Sequence, residues 1–332
     1  MAVQPILADE GVAIAELGDL PPGIGPYKLA WRRMRRNKVA LAFGALFLAI
    51  VVLCFLAPVY SADVAHIGPN DESHINQALN ATGIPVGPTW TTQFLLGADT
   101  NGRDVAVRLL YGGRTSLEIG FIATLITMLL ATILGTVAGY LRGFADGLIS
   151  RFFELLWAYP ALLLGIALGT SLQIGGINLG IFTLTAGSIW VPAGIIGIVY
   201  IPYVGKPIRA QVVTLREREF VDAARQQGLG SVRIMATEIL PNLASTIIVF
   251  VPLILANSIV LEAGLSYLGA GVQPPNPSWG TMISDGIHLI PAAIHLTLVP
   301  GIMLVLCVLG VNVFGDGVRD ALDPRSKARI GR

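Results

Sequence analysis

Residues 221–242 read VDAARQQGLGSVRIMATEILPN, a charged segment between two long apolar stretches. Thr214 and Glu217, just before it, have the Thr-x-x-Glu spacing of a capping box, which predicts that a helix begins there. Gly228 predicts the end of that helix, because glycine tolerates the left-handed conformation just past a helix terminus. The segment is therefore expected to begin with a short polar helix and a sharp turn.

A second short helix is expected after that turn. Ser231 is a residue type that caps helix N-termini, and Pro241 would separate the second helix from the apolar run that follows. Residues 221–242 therefore predict a charged, helix-turn-helix-like hairpin.

The composition indicates a membrane protein. Of the 332 residues, 54% are hydrophobic and 13% are charged, and the mean hydropathy is +0.70. Soluble chains usually carry about 25% charged residues. Cys54 and Cys307 lie in apolar stretches far apart in sequence, which argues against a disulfide framework. No Gly-x-x-x-x-Gly-Lys-Ser/Thr motif occurs, so the chain is not expected to bind ATP through a Walker loop.

Six apolar segments are long enough to cross a hydrocarbon core of about 30 Å, which takes about 20 helical residues. They should be helices because the bilayer core offers no water to unpaired backbone groups. Pro160 and Pro192 are candidate kinks in the third and fourth segments. The predicted spans are Val39–Tyr60, Leu117–Tyr140, Leu148–Leu172, Ile177–Val199, Ala244–Leu265 and Ala292–Val313.

The basic residues give the expected orientation, because Lys and Arg are enriched in cytoplasmic loops. Only Arg103, Arg108 and Arg114, in residues 61–116, fall on the opposite side of the spans from the rest. Both termini are therefore expected in the cytoplasm. The predicted cytoplasmic group comprises Lys28, Arg32, Arg33, Arg35, Arg36, Lys38, Arg142, Arg151, Lys206, Arg209, Arg216, Arg218, Arg225, Arg233, Arg319, Arg325, Lys327, Arg329 and Arg332.

The N-terminal residues 1–26 are polar, acidic and rich in proline and glycine toward their end, which predicts a flexible leader. Tyr27, Trp31 and Met34 recur at helical spacing among Lys and Arg, which predicts a short helix at the cytoplasmic membrane interface. A nucleic-acid patch is the competing interpretation of residues 32–38. The first apolar run is longer than the 7–15 residues of a signal-peptide core, so a retained anchor is expected rather than a signal peptide.

The predicted spans divide the chain into five parts. They are a flexible cytoplasmic leader (1–26), an interfacial helix with the first span (27–60), an extracytoplasmic segment (61–116), a permease core (117–315) that contains a cytoplasmic coupling loop (205–243), and a cytoplasmic tail (316–332).

The hairpin resembles the "EAA" loop of ABC-importer permeases, through the Asp-Ala-Ala of residues 222–224, the glycine after it and the Leu-Pro pair downstream. In that family the loop docks into a groove on an ATPase subunit, where small alanines allow close helix approach. The resemblance implicates these residues in ATPase coupling: Asp222, Ala223, Ala224, Gly228, Leu229, Leu240 and Pro241. The alternative is an ordinary cytoplasmic helical hairpin.

The sequence departs from the family pattern at two positions. Asp222 stands where the family usually has Glu, which keeps the charge with a shorter reach. Glu238 stands where peptide-type members often have His, so no family contact is assigned to it.

Three further stretches resemble the dipeptide/oligopeptide/nickel group of these permeases, and its second, "C-type" subunit most closely. They are residues 96–104 (LGADTNGRD) with 109–114 (LLYGGR), residues 265–280 (LSYLGAGVQPPNPSWG) and residues 315–325 (GDGVRDALDPR). In an unrelated protein, these residues would equally serve tight turns and stiff loops: Gly97, Gly102, Gly112, Gly113 and Pro274–Pro277.

Polar residues in or near the spans are candidates for function because burying them in lipid is costly. Glu262, in the outer part of the fifth span, is a candidate for the translocation path, and packing within the subunit is the alternative. Asn257 is a second candidate for the path, or for a hydrogen bond between helices. Glu154 is expected to pair with Arg151, three residues away. The four histidines are scattered and predict no metal site.

Together these features predict an all-α integral membrane protein with six transmembrane helices, the type I ABC-importer permease fold and a cytoplasmic EAA coupling loop. The resemblance implies location in a prokaryotic inner membrane, a homologous permease partner, two ATPase subunits that bind ATP and Mg, and an extracytoplasmic substrate-binding protein. No cofactor and no nucleic acid are expected for this chain. The implied cargo is a short peptide, with nickel, glutathione-like and opine-like solutes left open. A secondary transporter and a membrane-bound enzyme are the rival interpretations.

Overall fold

The computed structural model of the protein describes residues 26–175, 177–178, 183–184 and 187–322. Residues 1–25 of the predicted leader and 323–332 of the predicted tail lie outside the described residues. The α-helices are α1 (Pro26–Met34), α2 (Lys38–Phe55), α3 (Ala57–Val59), α4 (Ile75–Ala78), α5 (Val105–Leu141), α6 (Gly143–Trp157), α7 (Ala161–Gly175), α8 (Trp190–Val199), α9 (Ile201–Leu215), α10 (Glu219–Gln226), α11 (Ser231–Ile234), α12 (Leu240–Tyr267), α13 (Trp279–Gly286) and α14 (His295–Leu322).

Short irregular elements connect some of these helices. Segments Tyr60–Ala65 and Met235–Ile239 are π-helical, and Ile287–Leu289 is a 3₁₀ turn. Strand β1 (Ile177–Asn178) pairs antiparallel with β2 (Thr183–Leu184), in a register that places Ile177 opposite Leu184.

The described residues contain five helices long and apolar enough to cross a membrane, or six if the bent pair α6–α7 counts as one span. The prediction of an all-helical chain with six spans is therefore confirmed, apart from the small β1–β2 pair. Many apolar side chains on these helices face outward, such as Leu48 (62% exposed), Leu125 (69%) and Val305 (62%). An exterior of this kind suits lipid rather than water.

The second span begins twelve residues before its predicted start, at Val105 instead of Leu117. Asp104 caps this helix by accepting hydrogen bonds from the backbone N–H groups of Ala106 and Val107. The predicted start of the helix was the start of the apolar run, whereas the capping residue Asp104 lies well before that run. Gly112 and Gly113, for which a turn was the alternative to the family motif, lie within α5.

The third predicted span is broken rather than continuous. Helices α6 and α7 meet at 91° across Ala158–Pro160. Pro160 lacks an N–H donor and disfavours helical backbone at Tyr159, so the helix ends there. Pro192, the other expected kink, lies in the first turn of α8, where proline is tolerated.

The fourth predicted span, Ile177–Val199, was misplaced. The structure has the β1–β2 pair near its start, and the apolar helix runs from Trp190 through Leu215 as α8 and α9. Residues 205–215, predicted as part of the coupling loop, are helical and belong to α9. The helix tolerates two cations because Lys206 stacks on Trp157 at 4.7 Å and Arg209 pairs with Asp146 at 2.5 Å.

Helix α5 packs closely on α9. A Cβ on Gly135 would lie 2.8 Å from the carbonyl oxygen of Gly205, and one on Gly139 would lie 2.8 Å from that of Arg209. Glycines four residues apart let membrane helices approach to backbone contact. The two helices therefore form a close pair that leads to the cytoplasmic hairpin.

Candidate functional site

The hairpin turns at Gly228 as predicted. Gly228 has φ +76° and follows the last turn of α10. Its N–H donates to the carbonyl of Arg225 at 2.9 Å, and the N–H of Leu229 donates to that of Ala224 at 3.2 Å. These two bonds form a Schellman motif, which ends a helix with a left-handed residue.

The predicted start of the first hairpin helix was wrong. Thr214 lies in the last turn of α9, where its hydroxyl donates to the carbonyl of Ala210, and α10 begins only at Glu219. Glu217 instead accepts a hydrogen bond from Arg142, just after α5, at 2.7 Å. The Thr-x-x-Glu spacing does not mark a helix start here, because tertiary packing extends α9 through Thr214.

The second hairpin helix was placed correctly, but its two boundary signals were misread. Helix α11 begins at Ser231, yet its N-cap is Gly230 and no side chain caps it. Pro241 does not separate α11 from the next span, because the chain continues through the π-helical segment Met235–Ile239 into α12. Pro241 falls in the first turn of α12, and the Asn242 side chain donates to the Glu238 carbonyl at 2.7 Å. A π-helical turn can accommodate a proline that cannot donate to the α-helical ladder.

The residues implicated in docking divide between an exposed and a buried face of the hairpin. Asp222 and Ala223 are exposed, whereas Ala224 is buried and Leu229 packs partly against the core. Leu240 and Pro241 are exposed at the start of α12.

Two exposed apolar side chains in the hairpin were missed by the sequence analysis. Phe220, on α10 outside the candidate spans, is 37% exposed, and Val232, near the start of the candidate span Ser231–Tyr267, is 77% exposed. The sequence signal for these two side chains was that they are apolar within an otherwise polar hairpin.

Tyr140, near the C-terminal end of α5, attaches the hairpin to the core. The guanidinium carbons of Arg216 and Arg225 lie 5.8 and 5.6 Å from the centroid of its ring. Arg216 also donates to the Tyr140 carbonyl at 2.7 Å, and Arg225 donates to Asp222 at 2.9 Å. A hydrogen bond with the Tyr140 side chain raises the pKa of Arg225. The exposed carboxylate of Asp222 is thus linked through Arg225 to the end of α5.

The segment predicted to be extracytoplasmic, residues 61–116 and here called the outer segment, is held by two carboxylates of residues 96–104. Asp99 accepts hydrogen bonds from the backbone of Asn101 at 2.9 Å and of Arg103 at 3.0 Å. Asp104 accepts one from the backbone of Phe94 at 2.6 Å, besides capping α5. Burial raises the pKa of Asp104, against the effect of these backbone hydrogen bonds.

The arginines that departed from the predicted charge distribution all have carboxylate partners. Arg103 and Arg108 lie 2.7 and 3.4 Å from Asp99, and Arg114 lies 2.8 Å from Glu118. Each of these three arginines therefore has a carboxylate beside it.

Glu262, predicted near the translocation path, is fully buried inside this chain. Its Oε1 accepts a hydrogen bond from Ser266 at 2.7 Å, and the Ser266 hydroxyl also accepts one from the Val272 N–H at 3.0 Å. Its Oε2 makes no hydrogen bond of good geometry among the described residues, although the hydroxyls of Ser116 and Ser278 lie nearby. The Ser266 hydroxyl thus connects Glu262 to the loop after α12.

Asn257, the second pathway candidate, is half-buried, and its backbone carbonyl accepts a hydrogen bond from the Tyr200 hydroxyl at 3.3 Å. A role in the pathway stays a prediction for Glu262 and Asn257. The ion pair predicted between Arg151 and Glu154 is present at 2.9 Å.

A polar cavity of about 350 Å³ opens between the 96–108 region and the loop after α12. Arg103, Arg108, Gln273 and Asp285 are among its lining residues. Burial raises the pKa of Asp285, and the nearby Arg108 opposes that shift. Among the described residues, no group of three or more His, Cys, Asp and Glu side chains is arranged to hold a metal ion.

Two protein families match parts of the sequence. Residues 131–328 match the family described as "Binding-protein-dependent transport system inner membrane component". Residues 25–80 match the "N-terminal TM domain of oligopeptide transport permease C".

Similar proteins cover nearly the whole chain. The dipeptide transport system permease protein DppC of Alkalihalophilus pseudofirmus is 36% identical, over 92% of this chain and 92% of that protein. The di/tripeptide permease DppC of Pseudomonas aeruginosa is 36% identical, over 91% and 93%. The glutathione permease GsiD of Pectobacterium atrosepticum is 31% identical, over 99% and 97%.

The fold is similar to that of a chain in a solved structure of the MetNI methionine ABC transporter in an inward-facing conformation. The TM-score is 0.52 at 15% sequence identity, and the match covers 65% of this chain and 96% of that chain. At this identity the likeness supports the fold alone.

Proposed function

The chain belongs to the family of binding-protein-dependent transport system inner membrane components, as a permease subunit of an ABC importer, and we propose that it forms half of a translocation pathway for di- or oligopeptides. The observation that carries the proposal is the hairpin of α10 and α11. It presents Asp222 and Ala223 outside the spans and is continuous with the spanning helices on both sides.

The partners follow from this assignment. A second, homologous permease chain completes the pathway, and two ATPase subunits bind the hairpins and supply ATP and Mg chemistry. The chain itself transmits movement and hydrolyses nothing. A substrate-binding protein delivers cargo at the outer side, where the polar cavity opens. The mechanism is alternating access, in which closure of the ATPases displaces the hairpin and the rigid helices carry that displacement to the gate.

The relatives' names support peptide cargo. Permeases of dipeptide, di/tripeptide and glutathione systems are all similar to this chain over more than nine tenths of its length. These solutes share a short peptide backbone. Nickel and opine-like solutes are the alternatives to exclude.

Reconstitution tests the function. The chain is placed in proteoliposomes with its partner permease, both ATPase subunits and the binding protein, and uptake of labelled dipeptide, tripeptide, glutathione and nickel is measured. We expect uptake of at least one peptide that requires ATP and the binding protein. Uptake driven by an ion gradient without ATP would indicate a secondary transporter, and nucleotide hydrolysis by the pure chain would contradict the assignment.

Single cysteines test the orientation, which places both termini in the cytoplasm. Positions 70 and 276 are exposed on the outer side, and position 230 is exposed in the hairpin. An impermeant thiol reagent should label the first two in intact cells and the third only after permeabilisation. The native Cys54 and Cys307 are buried and give a low background. Labelling at 230 from outside would refute the docking role of the hairpin.

A further inference from the structure

Helix α1 is fastened to the ends of two spans through one of its faces. Ala30 and Met34 are buried in a cluster with Ala40 of α2 and Ala321 of α14. Asn37, between α1 and α2, accepts a hydrogen bond from the Ala40 N–H at 3.0 Å and caps the first span. Because α2 starts so soon after α1, α1 lies level with one surface of the bilayer.

The opposite face of this region is exposed and basic. Trp31 is 62% exposed. Arg32, Arg35, Arg36 and Lys38 are also exposed, and we call these four cations the basic surface. Within the part of the chain that the structure describes, none of the four has an ion-pair partner.

Other arginines on the cytoplasmic side contrast with the basic surface, because four of them each pair with a carboxylate at 2.5–2.9 Å. These pairs are Arg142–Glu217, Arg151–Glu154, Arg209–Asp146 and Arg225–Asp222. The protein thus pairs these four arginines internally and leaves four cations within seven residues without such partners. Such a surface attracts anions from outside the chain.

We propose that the basic surface binds the headgroups of anionic phospholipids in the cytoplasmic leaflet, with Trp31 at headgroup level. Three properties favour a lipid partner. Lys38 is the first residue of a span, so the surface lies at the depth of the headgroups. Cations near an anionic membrane surface are attracted to it, and tryptophan is enriched at the interface. The proposal depends on α2 crossing the membrane and not on the identity of the cargo.

Quenching of Trp31 fluorescence tests the proposal on the full chain. The protein is reconstituted in nanodiscs of phosphatidylcholine and phosphatidylglycerol in which one lipid at a time is brominated, at equal mole fractions. The Trp31 signal is the difference between the wild-type chain and Trp31→Phe. We expect brominated phosphatidylglycerol to quench Trp31 more strongly than brominated phosphatidylcholine, and the difference to shrink as salt screens the charges.

A pair of matched variants assigns the effect to the basic surface. Arg35→Gln with Arg36→Gln removes two of its cations, which should weaken the preference for the anionic lipid about tenfold or more. Arg218→Gln with Arg233→Gln removes two exposed cations from the hairpin and should change nothing. Equal quenching of the wild-type chain by the two lipids, or an equal loss in both double variants, would overturn the proposal. The salt dependence of the wild-type chain decides the question if the Arg35/Arg36 variant does not fold.

Discussion

The hairpin and the outer segment lie at opposite ends of α5, and both use glycine in the left-handed region. Gly228 in the hairpin has φ +76°, and a Cβ there would have no atom within 4 Å. Gly102 in the outer segment has φ +79°, but a Cβ there would lie 2.7 Å from the Cα of Ile75. The first glycine serves only a turn, whereas the second also serves close packing.

The ion pairs of the two regions also differ, in how deeply they are buried. In the outer segment, Asp99 and Arg103 form an ion pair in which both side chains are about nine tenths buried. In the hairpin, Asp222 and Arg225 form one in which both are more than a third exposed. A buried pair fixes a structure because removing one partner leaves an uncompensated charge, whereas an exposed pair is weak and open to a new partner. The outer segment is therefore expected to be rigid, and the charges of the hairpin are available for contact with another protein.

The largest effect is expected for Gly102→Val in the outer segment. The left-handed backbone costs about 1–2 kcal/mol for a residue with a side chain. Contact with Ile75 adds about 1–3 kcal/mol from overpacking. We expect a large loss of thermal stability and of purified yield. The matched control is Gly228→Val, which bears only the first cost, and equal loss of stability in both variants would remove the distinction between the two regions.

The next effect is on docking rather than on folding. Gly228→Val should tilt α10 against α11, and Asp222→Lys should reverse the charge at the proposed contact. Both should leave membrane insertion and permease pairing intact, yet reduce co-purification of the ATPase and abolish uptake. Ala223→Trp should act similarly by its bulk. Normal uptake at wild-type expression in Gly228→Val and Asp222→Lys would show that the hairpin is not the docking element.

A smaller effect is expected for Tyr140→Leu, which removes the ring between Arg216 and Arg225. The hairpin would still bind the ATPase, but its attachment to α5 would loosen. We expect several-fold less substrate transported per ATP hydrolysed, a ratio that mere destabilisation of the protein would not change. Tyr140→Phe keeps the ring and should retain most of the coupling, since the guanidinium groups lie near the ring face. An unchanged ratio in Tyr140→Leu would exclude this attachment.

The smallest effect is expected for Ser231→Ala. Its hydroxyl does not cap α11, so the change should alter the free energy of unfolding by less than about 0.5 kcal/mol and leave uptake normal. A loss of about 1 kcal/mol, which removing a capping side chain typically costs, would show that Ser231 caps the helix in solution. Thermal unfolding in detergent measures the difference.

The sequence located the hairpin but not its attachments. Gly228 could be predicted because a left-handed turn requires a particular residue type. Thr214 misled because a capping box is a local signal, and α9 continues through it while packed on α5. The contacts of Tyr140 with Arg216 and Arg225 span about 76 and 85 residues, so no local pattern could reveal them.

The bends in the spans likewise could not be predicted from local sequence signals alone. Pro160 ends a helix and Pro192 does not, although both are prolines in apolar stretches. Pro192 lies in the first turn of α8, where proline is tolerated, whereas Pro160 lies in the break between α6 and α7. Pro207, Pro252 and Pro300 lie inside helices without ending them, so the residue type alone does not decide where a span bends. Position within a helix depends on where the helix begins, which packing decided.

The sequence by itself determined the membrane class, the helical architecture, the number of spans and the place of the hairpin. These depend on hydrophobic length, basic charge and special backbone residues, which are properties of short segments of chain. Only the tertiary structure decided that α5 starts at Val105, that α9 reaches Leu215, and that Glu262 is buried beside Ser266. Asp104 caps α5 outside the apolar run, so hydrophobic length did not mark that start. Arg209 of α9 pairs with Asp146, and Ser116 and Ser278 lie beside Glu262, and these distant residues come together only when the chain folds.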